Sequence, residues 1–182
     1  RARVTGRSDS YVRLTAEAAN RHCTLEEFYE AVRKSEEQLE QLEVDLGEKL
    51  ADVASLIFNA HLLMLKDPGF SDEMAERIRQ GRTPQQAVTE VVNHYVELFS
   101  RSDHAQLREK AQDVKDLGHR LLQNLVLGEE EVSDYHEEIV ISGELLPSDL
   151  VKLSAQRPAG LVMVGGGVTA HVSILARSLG VP

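Results

Sequence analysis

The residues of this chain that are best suited to carry out chemistry are a glycine-rich turn and the histidine that follows it. The apolar run 160–164 leads into Gly165, Gly166 and Gly167, and His171 follows shortly after. Glycines let backbone N–H groups approach an anion closely, and a helix start adds free N–H groups and partial positive charge. A neutral imidazole is also a good nucleophile near neutral pH. The pattern suits a histidine that carries phosphate, although the glycines by themselves favour a histidine that only caps a helix.

Two neighbours would support a phosphate on His171. Thr169 could hydrogen-bond the imidazole or the phosphate, and Arg177 lies almost two helical turns further on. The turn has neither Gly-x-Gly-x-x-Gly nor Gly-Lys-Ser/Thr, so a nucleotide loop is not indicated. The single cysteine, Cys23, and the other histidines show no zinc-ligand spacing, so we predict no metal site.

Composition narrows the class of protein. Of 182 residues, 42% are hydrophobic, 27% charged and only 4% aromatic, which favours a soluble globular protein built on helix packing. The net charge of -10 argues against nucleic acid and suits a basic protein partner, or serves solubility alone. No apolar run is long enough to span a membrane, and one cysteine is compatible with the cytosol, so we expect a cytoplasmic protein. Because the chain opens on Arg1 and not Met, we expect a piece of a longer protein.

Residues 24–127 read as an all-helical bundle. Thr24 with Glu27 forms a capping box that predicts a long amphipathic helix running toward Lys66. The Asp67-Pro68-Gly69 run ends that helix, and Ser71 is the expected cap of the next. Thr83-Pro84 and Asp103 signal two further helix starts, and Gly128 ends the last helix.

The pattern changes after Gly128. Residues 138–142 and 160–164 are strand candidates, the second apolar enough to be covered on both faces, and a helix is expected over 170–179. Near the start, 11–14 is one possible short strand. We therefore predict an α/β domain of residues 1–23 and 128–182 with the helical bundle 24–127 inserted in it.

The glycine turn and histidine resemble a known signature. Gly-Gly-x-Thr-Ser/Ala-His-x-Ser/Ala-Ile-x-Ala-Arg is the phosphohistidine motif of the phosphoenolpyruvate-utilising enzymes, and 166–177 match it at every fixed position. The resemblance implies an α/β swivelling phosphohistidine domain with an inserted all-α bundle. It implies that His171 is the catalytic phosphate carrier, with Thr169, Gly165, Gly166, Gly167 and Arg177 in support.

The helical segment is similar to one branch of that family. Residues 58–67 and 110–122 resemble the bundle of Enzyme I, the phosphoenolpyruvate-protein phosphotransferase that serves sugar transport. By that resemblance the bundle binds the phosphocarrier HPr. The implied HPr contacts are His61, Leu63, Met64 and Phe70, although without the resemblance Leu63 and Met64 would read as bundle core.

The resemblance also implies what lies elsewhere. The family's first strand is expected to be missing or nearly so, and the phosphoenolpyruvate-binding barrel and its Mg²⁺ are expected in a C-terminal domain outside this chain. We therefore expect no cofactor here, and an enzyme that needs its C-terminal domain for the full reaction. Two alternatives remain, a dikinase-type swivelling domain and a regulatory module without turnover. The sugar, nitrogen-regulatory and dihydroxyacetone-kinase branches are not distinguished.

Overall fold

The computed structural model describes residues 2–5, 23–47, 53–126, 135–142, 145, 147–164 and 171–182. The chain falls into two compact units. The first, which we call the α/β unit, comprises Arg1–Val12, Leu42–Leu56 and Glu130–Pro182. The second, which we call the helical unit, comprises Arg13–Gln41 and Ile57–Glu129. The domain boundaries expected from the sequence stay a prediction, and the strand candidate 11–14 lies outside the described residues.

Five helices precede the last two strands of the described chain. They are α1 (Leu25–Gly47), α2 (Val53–Lys66), α3 (Pro68–Arg79), α4 (Pro84–Ser100) and α5 (Ala105–Val126). Their apolar residues recur at helical spacing and are buried on one side of each helix. In the helical unit α3 packs on α4, and α4 packs on α5. The largest fully buried apolar side chains of this unit are Phe28, Leu39, Phe58, Leu65, Met74, Val88, Leu117, Leu121 and Leu122.

Capping explains where several helices begin. Thr24 N donates to Glu27 Oε2 at 2.7 Å and Glu27 N donates to Thr24 Oγ1 at 3.2 Å, so the predicted capping box is confirmed. Thr83 and Gln86 form a second box with Pro84 in the first turn. The prediction for Ser71 is wrong. Asp67 caps α3 by accepting from Gly69 N at 2.7 Å, so the helix starts at Pro68, where a missing N–H costs nothing.

The α/β unit holds a small parallel sheet. Strands β1 (Ala2–Thr5), β2 (Ile139–Ser142) and β3 (Gly160–Met163) lie in the order β1-β2-β3. Val140 pairs with Arg3 on one side and with Leu161 on the other. Helix α6 (Pro147–Ala155) connects β2 to β3, as parallel pairing requires, and α7 (His171–Ser178) follows β3.

Two expectations about the strands need correction. Strand β1 was not expected, because its four residues have no period strong enough to identify a strand. The prediction that 160–164 is covered on both faces is wrong for Val162, whose side chain is 49% exposed. Over the part of the chain that the structure describes, no helix combines the length and the apolar character needed to cross a membrane.

Candidate functional site

The histidine singled out by the sequence is the first residue of α7. The helix is held from its far side, because Leu175 is fully buried and α7 packs on α6, whose Leu150 is fully buried as well. The backbone of His171 thus stands at the end of α7 that carries free N–H groups and partial positive charge. Thr169, Gly165, Gly166 and Gly167 lie outside the described residues, so their predicted roles stay predictions.

Arg177 lies in the last turn of the same helix. Its side chain is exposed and its Nε donates to the carbonyl oxygen of Ser173 at 3.2 Å, which folds the guanidinium stem along α7. The turn after it is closed by Gly180, whose φ of 68° suits glycine, and Val181 N donates to Ala176 O at 2.9 Å. The role of Arg177 as a phosphate neighbour stays a prediction.

Helix α2 has one buried face and one exposed face. Phe58, His61, Leu62 and Leu65 are buried. Asn59, Leu63 and Lys66 are exposed, and Met64 is half-buried between the two faces. Leu63 is 73% exposed, so the alternative that it belongs to the bundle core is wrong. Large apolar side chains that are exposed on a helix surface mark an interaction site when they form a patch.

His61 lies on the buried face, between two carboxylates of α5. Its ring is 1% exposed, with Nε2 3.7 Å from Asp113 Oδ1 and Nδ1 3.8 Å from Asp116 Oδ2. These separations exceed a hydrogen bond, so the contact is an electrostatic one. Phe58 meets the ring edge-on at 6.5 Å between centroids.

The pKa of Asp113 reflects both its burial and its contacts with His61 and Lys110. Burial by itself raises the pKa of Asp113, but its contacts with His61 and Lys110 outweigh burial and hold the pKa below its usual value. Lys110 Nζ lies 2.8 Å from Asp113 Oδ2, on the same helix and closer to solvent. The fold therefore favours the ionised form of the Asp113 side chain.

Phe70, another predicted partner contact, is also buried. It is 3% exposed and packs edge-on against Tyr95 of α4, with ring centroids 5.5 Å apart. Tyr95 in turn contacts Phe99 at 6.0 Å. Removal from water, followed by the charges of Glu73 and Asp67, raises the pKa of the Tyr95 phenol. Of the four predicted partner contacts, the structure thus exposes Leu63, half-buries Met64, and places His61 and Phe70 beneath the surface.

A separate polar contact joins α1 to α5. Asn124 Nδ2 donates to Ser35 Oγ at 2.8 Å, and Gln38 Nε2 donates to Asn124 Oδ1 at 3.1 Å. Arg120 Nη1 donates to Gln38 Oε1 at 3.0 Å. Sequence reasoning missed this group and also Asp113 and Asp116. The one available signal was the spacing of three between those two aspartates, which puts both on one helix face.

Comparison with known proteins decides the family. Residues 5–110 match the family described as PEP-utilising enzyme, N-terminal, and residues 135–182 match PEP-utilising enzyme, mobile domain. The chain belongs to the PEP-utilising enzyme family. It is 35% identical over 85% of its length to a phosphoenolpyruvate-protein phosphotransferase of Bacillus sp. (strain S), and 36% identical over 84% to that of Geobacillus stearothermophilus. It spans 27% of each of these relatives.

Solved structures agree with the sequence relatives. An NMR structure of Enzyme I (nEIt) superposes with a TM-score of 0.70 and 27% identity, over 92% of this chain and 68% of that one. An N-terminal domain of Enzyme 1 - Nitrogen, 23% identical, gives a TM-score of 0.69 over 87% of this chain and 65% of that one, and shows the fold alone. The resemblance to Enzyme I and the fold class, an α/β phosphohistidine domain with a helical bundle, are confirmed.

Proposed function

We propose that this chain carries a phosphoryl group on His171 and passes it between phosphoenolpyruvate and an HPr-type phosphocarrier protein. The observation that carries the proposal is the start of α7 at His171, inside the segment that matches the mobile domain of the family. A helix start at that residue offers free N–H groups to a phosphate on the ring. The helix field there favours an anion by about 0.3–1 kcal/mol.

The chemistry is two successive displacements at phosphorus. A ring nitrogen of His171, Nε2 by family resemblance, bonds to the phosphorus of phosphoenolpyruvate while the bond to the enol oxygen breaks. The enolate of pyruvate leaves and becomes pyruvate by taking up a proton from solvent at its methylene carbon. A histidine nitrogen of the phosphocarrier then bonds to the same phosphorus, and the bond to His171 breaks. Thr169, the glycines 165–167 and Arg177 would hold the phosphate during both steps. Because one histidine serves two partners, a swivel of its domain is part of the proposal.

The surface that we assign to the phosphocarrier is the exposed face of α2. Leu63 supplies the apolar contact, with the half-buried Met64 beside it, and a flexible thioether suits a transient interface. Lys66 on this face is 3.1 Å from Glu40 of α1. The net charge of -10 would attract a basic partner over distance. His61 and Phe70 are buried and would act on the partner through other residues.

The binding of phosphoenolpyruvate and of Mg²⁺ belongs, in this proposal, to a different domain. Phosphoenolpyruvate and Mg²⁺ would bind to a C-terminal domain, and the reaction would take place in the cytoplasm. Within the described ranges, no three His, Cys, Asp or Glu side chains form a group that could hold a metal ion. A dikinase-type swivelling domain is the less favoured alternative, because the relatives reported above are phosphoenolpyruvate-protein phosphotransferases.

The direct test is transfer of label from phosphorylated HPr of the same organism. We expect the chain to take up acid-labile, alkali-stable phosphate, and His171→Ala to take up none. His104→Ala, which removes an exposed histidine of the helical unit, is the matched control and should be labelled like the wild type. Leu63→Ala should slow transfer about tenfold, which corresponds to the loss of one apolar anchor.

The outcomes separate the alternatives. A folded wild type that takes up no label contradicts the HPr assignment and favours a dikinase-type domain or a regulatory module. Label that persists on His171→Ala would place the carrier at another residue. Normal transfer by Leu63→Ala would leave the carrier histidine in place and remove the docking surface from α2.

A further inference from the structure

The group formed by His61, Asp113 and Asp116 is not used by the chemistry above. We call it the His61 cluster. His61 comes from α2 and the two carboxylates come from α5, so the cluster links those two helices inside the helical unit. All three residues are buried, with His61 and Asp116 each 1% exposed and Asp113 9% exposed. Placing charged groups there costs desolvation free energy that an apolar core would not.

The cluster determines which residues α2 presents to solvent. His61 and Leu63 are two positions apart, which at 3.6 residues per turn separates them by about 200° around the helix axis. Contact of His61 with α5 therefore directs Leu63 away from the bundle. A rotation of α2 by one residue, about 100°, would move Leu63 aside and leave His61 without its carboxylates.

The apolar contacts of the same face favour this orientation but do not define the angle of α2 sharply. Phe58, Leu62 and Leu65 are buried with His61, but burial of apolar surface is non-directional and tolerates small rotations. Two carboxylates on successive turns of α5 define a position for the imidazole in angle and in height. Lys110 Nζ contacts the other oxygen of Asp113, Oδ2, at 2.8 Å.

We propose that His61 is a positioning residue, held between Asp113 and Asp116, which fixes the rotation of α2 and so sets the Leu63 surface for the phosphocarrier. The inference rests on the proposed function. It differs from a direct contact, because a ring that is 1% exposed cannot touch a partner docked on the surface. Its effect on binding passes through the orientation of α2.

The experiment measures the dissociation constant for purified HPr of the same organism by calorimetry, together with the thermal midpoint of each variant. His61→Gln and Asp116→Asn should each raise the dissociation constant about fivefold to tenfold well below the midpoint, and the double variant no more than either alone, since both remove one contact. Should His61→Gln not fold, Asp113→Asn and Asp116→Asn, which keep side-chain shape, provide the same comparison.

Ser35→Ala is the matched control. Ser35 is fully buried and accepts from Asn124 at 2.8 Å, so its replacement removes a hydrogen bond between α1 and α5 and none of the contacts of the His61 cluster. We expect a lower thermal midpoint and a dissociation constant within about twofold of the wild type. A Ser35→Ala variant that binds as weakly as His61→Gln would show that binding follows stability alone, and would overturn the inference.

The remaining outcomes separate the inference from the proposed function. If the wild type binds HPr and Leu63→Ala weakens binding, but the His61 cluster variants bind normally, only the positioning role fails. If the wild type does not bind HPr at all, the proposed function fails and the positioning role fails with it.

Discussion

Gly118 lies in α5 directly against Val92 of α4, and its replacement by alanine tests the packing of the helical unit. A methyl group added at Gly118 would meet Val92 Cγ2 at 2.6 Å, Cγ1 at 3.0 Å and Cβ at 3.3 Å. Val92 is 1% exposed and is β-branched, so its side chain has one strongly preferred rotamer in a helix and cannot turn away. The clash must therefore be relieved by moving the helices apart.

The sign of the effect follows from two opposing terms. Alanine is favoured over glycine in a helix interior by about 1 kcal/mol. Overpacking a tight core costs about 1–3 kcal/mol, and a contact as short as 2.6 Å against a rigid side chain belongs in the upper part of that range. We expect Gly118→Ala to lower the free energy of unfolding by about 1–2 kcal/mol, although helix propensity alone predicts an increase.

Urea unfolding followed by far-ultraviolet circular dichroism measures this change. Lys115→Ala, on an exposed position of α5, is the control and should stay within about 0.5 kcal/mol of the wild type. The double variant Gly118→Ala/Val92→Ala should be more stable than the sum of the single changes by about 1 kcal/mol or more, because the new methyl group fills the space that Val92 leaves. A higher urea midpoint for Gly118→Ala would refute the close approach of α4 and α5.

Three further predictions follow from the same unit. Because the folded-state pKa of Asp113 is depressed, its stabilisation is present above the unfolded-state pKa and is lost as the pH falls through the folded-state value. Asp113→Asn should thus destabilise the protein more at pH ~7 than at pH ~3, measured by urea unfolding. Tyr95→Phe should remove, from an absorbance titration of the protein, a phenol whose pKa lies above its ordinary value. Thr83→Ala should lower the free energy of unfolding by about 1 kcal/mol, because it removes the cap of α4, and an unchanged urea midpoint would contradict that cap.

Local signals predicted much of the helical unit. The capping boxes at Thr24 and Thr83 name their own partners within three residues, so no distant contact is needed to recognise them. The prediction that Ser71 caps α3 was wrong because a second local signal lies just before it. It can cap a helix, but Asp67 followed by Pro68 offers an earlier start, and the structure uses it. Strand β1 was missed because four residues of parallel strand are defined by their pairing with β2 and not by their own sequence.

The candidate site divides in the same way. His171 and its glycine turn were singled out by residue type, by spacing and by the family signature, all of which lie within a short stretch of the chain. The burial of His61 and Phe70 could not be predicted, since a helix pattern assigns faces but does not say which neighbour covers them. Leu63, read from the sequence alone, belonged to the core, and the structure exposes it.

The sequence by itself determined most of the helices, the caps at Thr24 and Thr83, the family signature and the histidine that we propose as carrier, because each depends on residues near one another in the chain. Tertiary structure alone decided that His61 lies between Asp113 and Asp116, residues more than fifty positions away. It alone decided that Leu63 points to solvent and that Val92 packs closely against Gly118. The physical reason is that burial and charge pairing are properties of surfaces brought together by folding, and no local pattern encodes the partner of such a surface.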